Sequence, residues 1–385
     1  MKIDYSKVLD KIKFWKKTIE NVKSFTGSSP PALFVGRAFY PKVWVGILAP
    51  PEHVENAEIL DFPEEWYKEK ASIEKILSYR TQLVYSRFKV SSVKRPSGRL
   101  VETTQELAMA KKPADVEIEL KKSPVFKLRL SNWFTPVGNP APILNAKIVE
   151  NVKVERKVDY LVSDLSLKAQ DAIIELYKHK IPVSRLQRIF SAGLLGIPIQ
   201  RRFVPTRWSI TAVDDIIGKS LMEEIKDYPE ISEYQLFSNE YLANHFEILL
   251  IPQIYSYELI EAWDLDKTPS IGSDFEPYWG RESYARVTGG AFYAARLAVL
   301  EYLSKIKRQA AVLIVREVKP EYYAPVGVWK IRETVRDAFN LPFEKFDSLE
   351  QAVKRICEKM MIKDKWVTKS KLLRILKEQR KITQF

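Results

Sequence analysis

The sequence predicts an α+β protein with a large mixed N-terminal domain, a smaller and mostly helical C-terminal part, and a mobile C-terminal tail. Three observations lead there. Hydrophobic residues make up 46% of 385 positions, enough for one large core or two ordinary ones. Apolar residues recur at three- and four-residue steps in several windows, the mark of amphipathic helices. Between them lie short alternating or wholly apolar runs that read as strands. No internal repeat and no low-complexity tract is visible.

In order along the chain, Val8, Ile12, Trp15, Ile19 and Val22 mark a helix over residues 4–23, which Gly27-Ser28-Ser29-Pro30-Pro31 breaks. Leu33-Phe34-Val35 and Val43-Trp44-Val45 read as short strands. Pro63 opens a second helix, with Glu64 and Glu65 where the helix dipole favours acids, and Ile73, Ile76, Leu77, Arg80 and Leu83 continue it. Residues 86–100 read as a basic loop, Val116 to Leu120 as a half-exposed strand, and Ser131 to Pro142 as a loop. Helices are predicted over Leu165 to Lys178, Val183 to Phe190 and Ser209 to Ile225. Phe246 to Ile251 and Gln253 to Leu259 are strands around Pro252. The long loop Asp264 to Gly280 is the predicted boundary between domains 1–265 and 266–376, and 377–385 form the tail. Beyond it come a helix from Gly289-Gly290 to Ile306, a buried strand Ala311 to Val318, and helices over Val328 to Phe339, Leu349 to Met361 and Lys369 to Glu378.

Lys and Arg number 62 against 49 Asp and Glu, so the net charge is +13 and the pI about 9.4. Such a balance favours polyanionic partners: DNA, RNA or an anionic membrane surface. No apolar run approaches the roughly 20 residues of a membrane span, and the N-terminus has no signal-peptide core, so no membrane partner is expected. The single cysteine, Cys357, excludes an intrachain disulfide and a Cys-x-x-Cys zinc site and reads as a reducing, cytoplasmic compartment, where a DNA partner would make the location nucleoid-associated. His53, His179 and His245 lie far apart with no metal-ligand spacing, and nothing resembles a nucleophilic triad. Gly218-Lys219-Ser220 is not a phosphate-binding P-loop, because Val213 stands where the first glycine must be.

Four constellations carry candidate chemistry. The segment 86–100 holds Arg87, Lys89, Lys94, Arg95 and Arg99 with no acid, and Pro96-Ser97-Gly98 supplies a turn. Its contacts to DNA phosphate would be sequence-independent and salt-sensitive; the plain alternative is a solvated loop. Arg201, Arg202, Arg207 and Trp208 precede a helix, where guanidinium groups and the helix N-terminus favour phosphate and an indole can stack on a base. The alternative buries Trp208, pairs Arg207 with Asp214 or Asp215, and makes Thr211 and Asp214 a capping box. Gly289-Gly290 with Arg281, Arg286 and Arg296 is a weaker anion site, equally readable as close helix packing. Finally, Glu317 and Lys319 share a strand face, and an upstream Asp274 with Glu276 could complete a metal-dependent nuclease, the one reading that requires a divalent ion. Otherwise no cofactor and no metal is expected, and catalytic residues are unassigned.

The terminal Gln379-Arg380-Lys381-Ile382-Thr383-Gln384-Phe385 matches the pattern by which short peptides dock on a DNA sliding clamp (PCNA). Gln379 would hydrogen-bond in a polar pocket. Ile382 and Phe385 eclipse each other on one 3₁₀ turn and would fill an apolar pocket as paired anchors. Arg380 and Lys381 would face outward. Eight cations from Lys363 onward, opposed by only Asp364 and Glu378, would steer the tail to an acidic clamp or its DNA.

Beyond the terminus, three blocks resemble the archaeal Nre family of DNA-repair proteins, with a likeness that covers nearly the whole chain. They are Ser29-Pro30-Pro31 with Phe34-Val35-Gly36-Arg37 and Tyr40-Pro41-Lys42-Val43; Val204-Pro205-Thr206-Arg207-Trp208-Ser209-Ile210-Thr211-Ala212-Val213-Asp214; and Gly289-Gly290-Ala291-Phe292-Tyr293-Ala294-Ala295-Arg296. The resemblance implies a role in the DNA-damage response through the clamp. Two departures stand out: the four-cysteine element many relatives carry near the N-terminus is missing, and the terminal motif lacks the second aromatic of longer versions.

Overall fold

The computed structural model describes residues 19, 21–125, 137–263, 265 and 268–378. The α+β expectation holds. The chain forms two compact units, Met1–Ile216 with Ala324–Val326, and Ile217–Tyr323 with Gly327–Phe385.

The first unit opens with β1 (Ser24–Ser29), β2 (Ala32–Val35) and β3 (Trp44–Ala49). Then follow α1 (Pro63–Lys68), α2 (Ile73–Thr81), β4 (Val84–Lys89), α3 (Arg99–Met109), β5 (Ala114–Leu120) and β6 (Asn139–Ile148). The unit continues through α4 (Arg156–Ser163), α5 (Ala169–Lys178), α6 (Val183–Ser191) and the start of α7 (Thr206–Ile225). Its six strands form one sheet in the order β1-β5-β6-β4-β3-β2, antiparallel except where β4 meets β6. Ile47, Val84, Val116, Ile118 and Ile143 from the sheet and Leu107 from α3 share one core.

The second unit holds β7 (Tyr234–Tyr241), β8 (Asn244–Ile251), β9 (Ser256–Trp263), β10 (Ser270–Glu276), α8 (Gly290–Ile306) and β11 (Ala311–Val318). It ends with α9 (Trp329–Ala338), β12 (Glu344–Phe346), α10 (Leu349–Lys359) and α11 (Lys371–Glu378), so helices predominate after Glu276. The sheet order is β10-β9-β11-β8-β7-β12, with β9 and β11 parallel. One face packs on Phe292 and Leu300 of α8 and Ile331 and Val335 of α9. The other packs on Ile356 of α10, Trp366, and Leu372 and Leu373 of α11. All eight residues of β11 are buried, as a central strand covered on both faces requires.

Several local expectations change. The helix expected from Pro63 to Leu83 is two helices: Lys70 takes a left-handed conformation (φ 49°) and Ser72 caps the second by accepting the Lys75 N–H at 3.2 Å. Within the basic loop expected at 86–100, Arg87 and Lys89 belong to β4 and Arg99 begins α3. The middle of the loop expected between Asp264 and Gly280 is the edge strand β10, whose Gly272, Ser273 and Asp274 disguise it. The predicted loop before Pro142 includes the start of β6. Helix α7 starts at Thr206 rather than Ser209, because the Pro205 carbonyl accepts the N–H groups of Trp208 and Ser209. Of the helix expected at 4–23, only Ile19 and residues 21–23 are described, and Ile19 is fully buried.

Candidate nucleic-acid interface

Three segments far apart in sequence interlock in the first unit. The Val93 N–H donates to Pro41 O (3.1 Å), the Phe203 N–H to Val93 O (3.0 Å) and the Arg95 N–H to Arg201 O (3.3 Å). Lys94 and Arg202 form an antiparallel bridge. The Val35 N–H donates to Thr206 Oγ1 at 2.9 Å, tying the end of β2 to the first turn of α7. Gly193 lets the 201–203 strand come this close: its φ is 72°, and a Cβ there would sit 2.5 Å from Arg202 O. The two basic stretches recognised separately in the sequence are therefore neighbours.

Charge follows from this interlock. Residues 36–51, 84–101 and 193–213 together carry ten Lys and Arg and no Asp or Glu. Arg37, Lys42, Lys89, Lys94, Arg95, Arg99 and Arg207 are all exposed. Three of the predicted cations make contacts within the fold. Arg201 donates from Nε to Gly196 O (2.7 Å) and from Nη2 to Val162 O (2.7 Å), and burial lowers its pKa. Arg87 is half-buried, its guanidinium 4.5 Å from the Trp44 ring. Arg202 is half-buried and donates from Nε to Gln200 O.

Aromatic side chains complete the surface. Trp208 is not core: it is 44% exposed, with its ring 5.1 Å from that of Tyr40, itself 43% exposed. Phe39, in the left-handed region at φ 65°, is 76% exposed, and Lys89 Nζ lies 5.9 Å from its ring. Thr211 lies inside α7 and caps nothing, while buried Asp214 accepts from Gln187 Nε2 at 3.0 Å. The exposure of Phe39 and Tyr40 was missed in the sequence. The one local signal is a pair of aromatics directly before Pro41-Lys42, which by itself is as readily counted as core.

In the second unit the candidate nuclease carboxylates do not converge. Asp274 is level with Leu259 and Ile314, which face α8 and α9, and Glu276 shares that side. Glu317 is level with Ala262, which faces α10 and α11, so the sheet stands between them. Each acid already has a structural task. Asp274 accepts the N–H groups of Val287 and Thr288, and Glu276 pairs with Arg296 and accepts from Tyr255 Oη. Glu317 accepts the Ile362 N–H at 2.6 Å. Among the described residues no group of three or more His, Cys, Asp or Glu is arranged to hold a metal ion. At Gly289-Gly290, Arg281 and Arg296 are committed to Asp274 and Glu276, which leaves Arg286 exposed.

The peptide Gln379 to Phe385 lies outside the described residues. Its approach does not. Glu258 of β9, fully buried, accepts from Ser370 Oγ (2.6 Å), the Lys371 N–H (2.9 Å) and the Leu372 N–H (3.0 Å), and Ser370 Oγ accepts the Leu373 N–H. The sheet thus supplies the anionic cap of α11, the helix that leads into the terminal peptide. No described helix is long and apolar enough to cross a membrane.

Comparison with known proteins agrees with the resemblance read from the three blocks. Residues 2–268 match the family model for the archaeal Nre N-terminal region, and 276–385 that for the archaeal Nre C-terminal region. The chain is 40% identical over 353 residues to the DNA repair protein NreA of Archaeoglobus fulgidus, covering 90% of this chain and 88% of that one. It is 37% identical over 360 residues to NreB of the same organism, covering 91% and 90%. It is 36% identical over 366 residues to NreA of Haloferax volcanii, covering 91% and 87%. No solved structure matches it. With family models matched across nearly its whole length and relatives aligned over nine-tenths of it, this chain belongs to the archaeal Nre family.

Proposed function

We propose that the protein acts in repair of damaged DNA, is recruited there by the sliding clamp (PCNA) through Gln379, Ile382 and Phe385, and holds DNA with the basic surface of its first unit. The observation that carries the recruitment is the terminal Gln-x-x-Ile-x-x-Phe peptide, continuous with a helix whose first turn is fixed to the sheet by Glu258. An anchored root limits the conformations a docking peptide must give up on binding, and so supports affinity. The family's C-terminal model extends through Phe385. Three relatives at 36–40% identity bear the name DNA repair protein. The 89–95 and 201–208 segments carry cations and no acid of their own, as sequence-independent phosphate contacts need.

Deleting Arg380 to Phe385 and titrating the protein against purified clamp tests the recruitment. Removing two central apolar anchors, each worth about 2 kcal/mol or more, is expected to weaken binding at least about a hundredfold. An unchanged dissociation constant would refute the docking role.

A further inference from the structure

We infer that the surface around Phe39, Tyr40 and Trp208 takes single-stranded DNA, with unpaired bases stacked on these rings and phosphates on the cations beside them; this rests on the reading of the first unit as the DNA-contacting part.

The three rings are 76%, 43% and 44% exposed. Folding hides large aromatic side chains where it can, so a cluster left out on one surface marks a binding face. The three segments that form it bring only cations to its border. Lys89 Nζ lies 5.9 Å from the Phe39 ring, Arg207 is exposed beside Trp208, and Lys42 follows Tyr40-Pro41. None of the three segments contributes a carboxylate that would repel a phosphate chain.

Aromatic rings ringed by cations match a polyanion whose bases have free faces. In an intact duplex those faces are hidden in the stack, and a ring reaches one only by unstacking or flipping it, at a cost of a few kcal/mol. A single strand offers every base face without that penalty, which is why sequence-tolerant single-strand binders combine a basic track with stacking rings. The Tyr40 and Trp208 rings, 5.1 Å apart and tilted by 53°, form one contiguous platform rather than isolated rings. The backbone under them is held by the hydrogen bonds Val35–Thr206, Val93–Pro41 and Phe203–Val93, so the platform is built before ligand arrives.

The test uses the full chain and fluorescence anisotropy with labelled oligo-dT of about 20 nucleotides, a blunt duplex of equal length, and oligo-U, all at one salt concentration. Oligo-dT is expected to bind at least about tenfold more tightly than the duplex. Phe39→Ala and Trp208→Ala should each weaken oligo-dT binding roughly tenfold while leaving duplex binding and the salt slope in place, and Trp208→Phe should keep most of the affinity. These side chains are exposed, so circular dichroism of the variants should match the parent. Duplex binding as tight as oligo-dT, or neutral alanine variants, would overturn the single-strand inference while leaving DNA binding intact. Tighter binding of oligo-U would reassign the surface to RNA. Failure to bind any of the three would remove the DNA-contact reading itself, and this inference with it.

Discussion

His245 on β8 shows how single charged residues in the second unit are balanced. Burial opposes its positive charge, but Glu247 Oε1 at 2.8 Å from Nε2, Glu240 Oε2 at 3.4 Å from Nδ1, and Glu317 across the strand pair raise its pKa above the usual 6.5. Lys359 holds Glu247 through its other oxygen, Oε2, at 3.6 Å, and Lys319 shares Glu240 Oε2 at 2.7 Å. The sign follows from the direction. A folded-state pKa above the unfolded value means that protonation favours the fold. Its stabilisation is complete below about pH 6.5 and is lost as pH rises through the higher folded value. Denaturation midpoints taken from pH 5.5 to 8.5 should therefore fall more steeply for the parent than for His245→Gln, over roughly the range in which a histidine titrates. Parallel pH profiles for the two proteins would contradict the assignment.

At the scale of elements, the decisive contacts join segments that no local pattern connects. Glu258 and Ser370 are 112 residues apart, yet together they cap α11. Glu258→Ala would leave the Lys371 and Leu372 N–H groups of that helix without their anionic acceptor, at an expected cost of about 2–3 kcal/mol. Hydrogen exchange of amides in 371–378 should accelerate while those of β11 stay protected; equal protection in the two segments would refute the anchoring role. The same distance explains what the sequence concealed. Helices α5 and α6 were legible because a repeating apolar stripe is a local property, α8 because an apolar run follows Gly289-Gly290, and β11 because it is apolar on both faces. Strand β4 was not, since Ser86, Arg87 and Lys89 read as polar coil until β3 and β6 flank them. The basic runs of the candidate interface stood out as composition. Their union did not, because the bridge between Lys94 and Arg202 is made by main chain, which leaves no side-chain signature. Nor did the exposure of Phe39 and Tyr40, since an aromatic pair in a sequence is ordinarily counted as core.

On the scale of the whole molecule, charge and the proposed docking would act on one chain. The net charge is +13, and the three interlocked segments of the first unit contribute ten cations with no acid. A field of one sign raises the local concentration of a polyanion and speeds its capture, whatever its sequence. A terminal peptide held by a DNA-encircling partner would make the second contact intramolecular, so modest affinity of the basic surface would suffice once the clamp is engaged. The two contributions separate experimentally through salt. Phosphate contacts release counterions, and each one lost reduces the steepness of log affinity against log salt by about 0.7 for a single strand. Arg95 and Arg99 are both exposed, one beside the bridge between Lys94 and Arg202 and one at the first position of α3, where its charge opposes the helix dipole and gains nothing for the fold. Reversing both to Glu should therefore preserve stability, weaken oligo-dT binding, and make the salt slope shallower by about 1 or more. Clamp affinity measured without DNA should stay as in the parent. An unaltered slope would place the phosphate contacts elsewhere on the molecule, and a fall in clamp affinity would mean that these cations serve the protein partner instead.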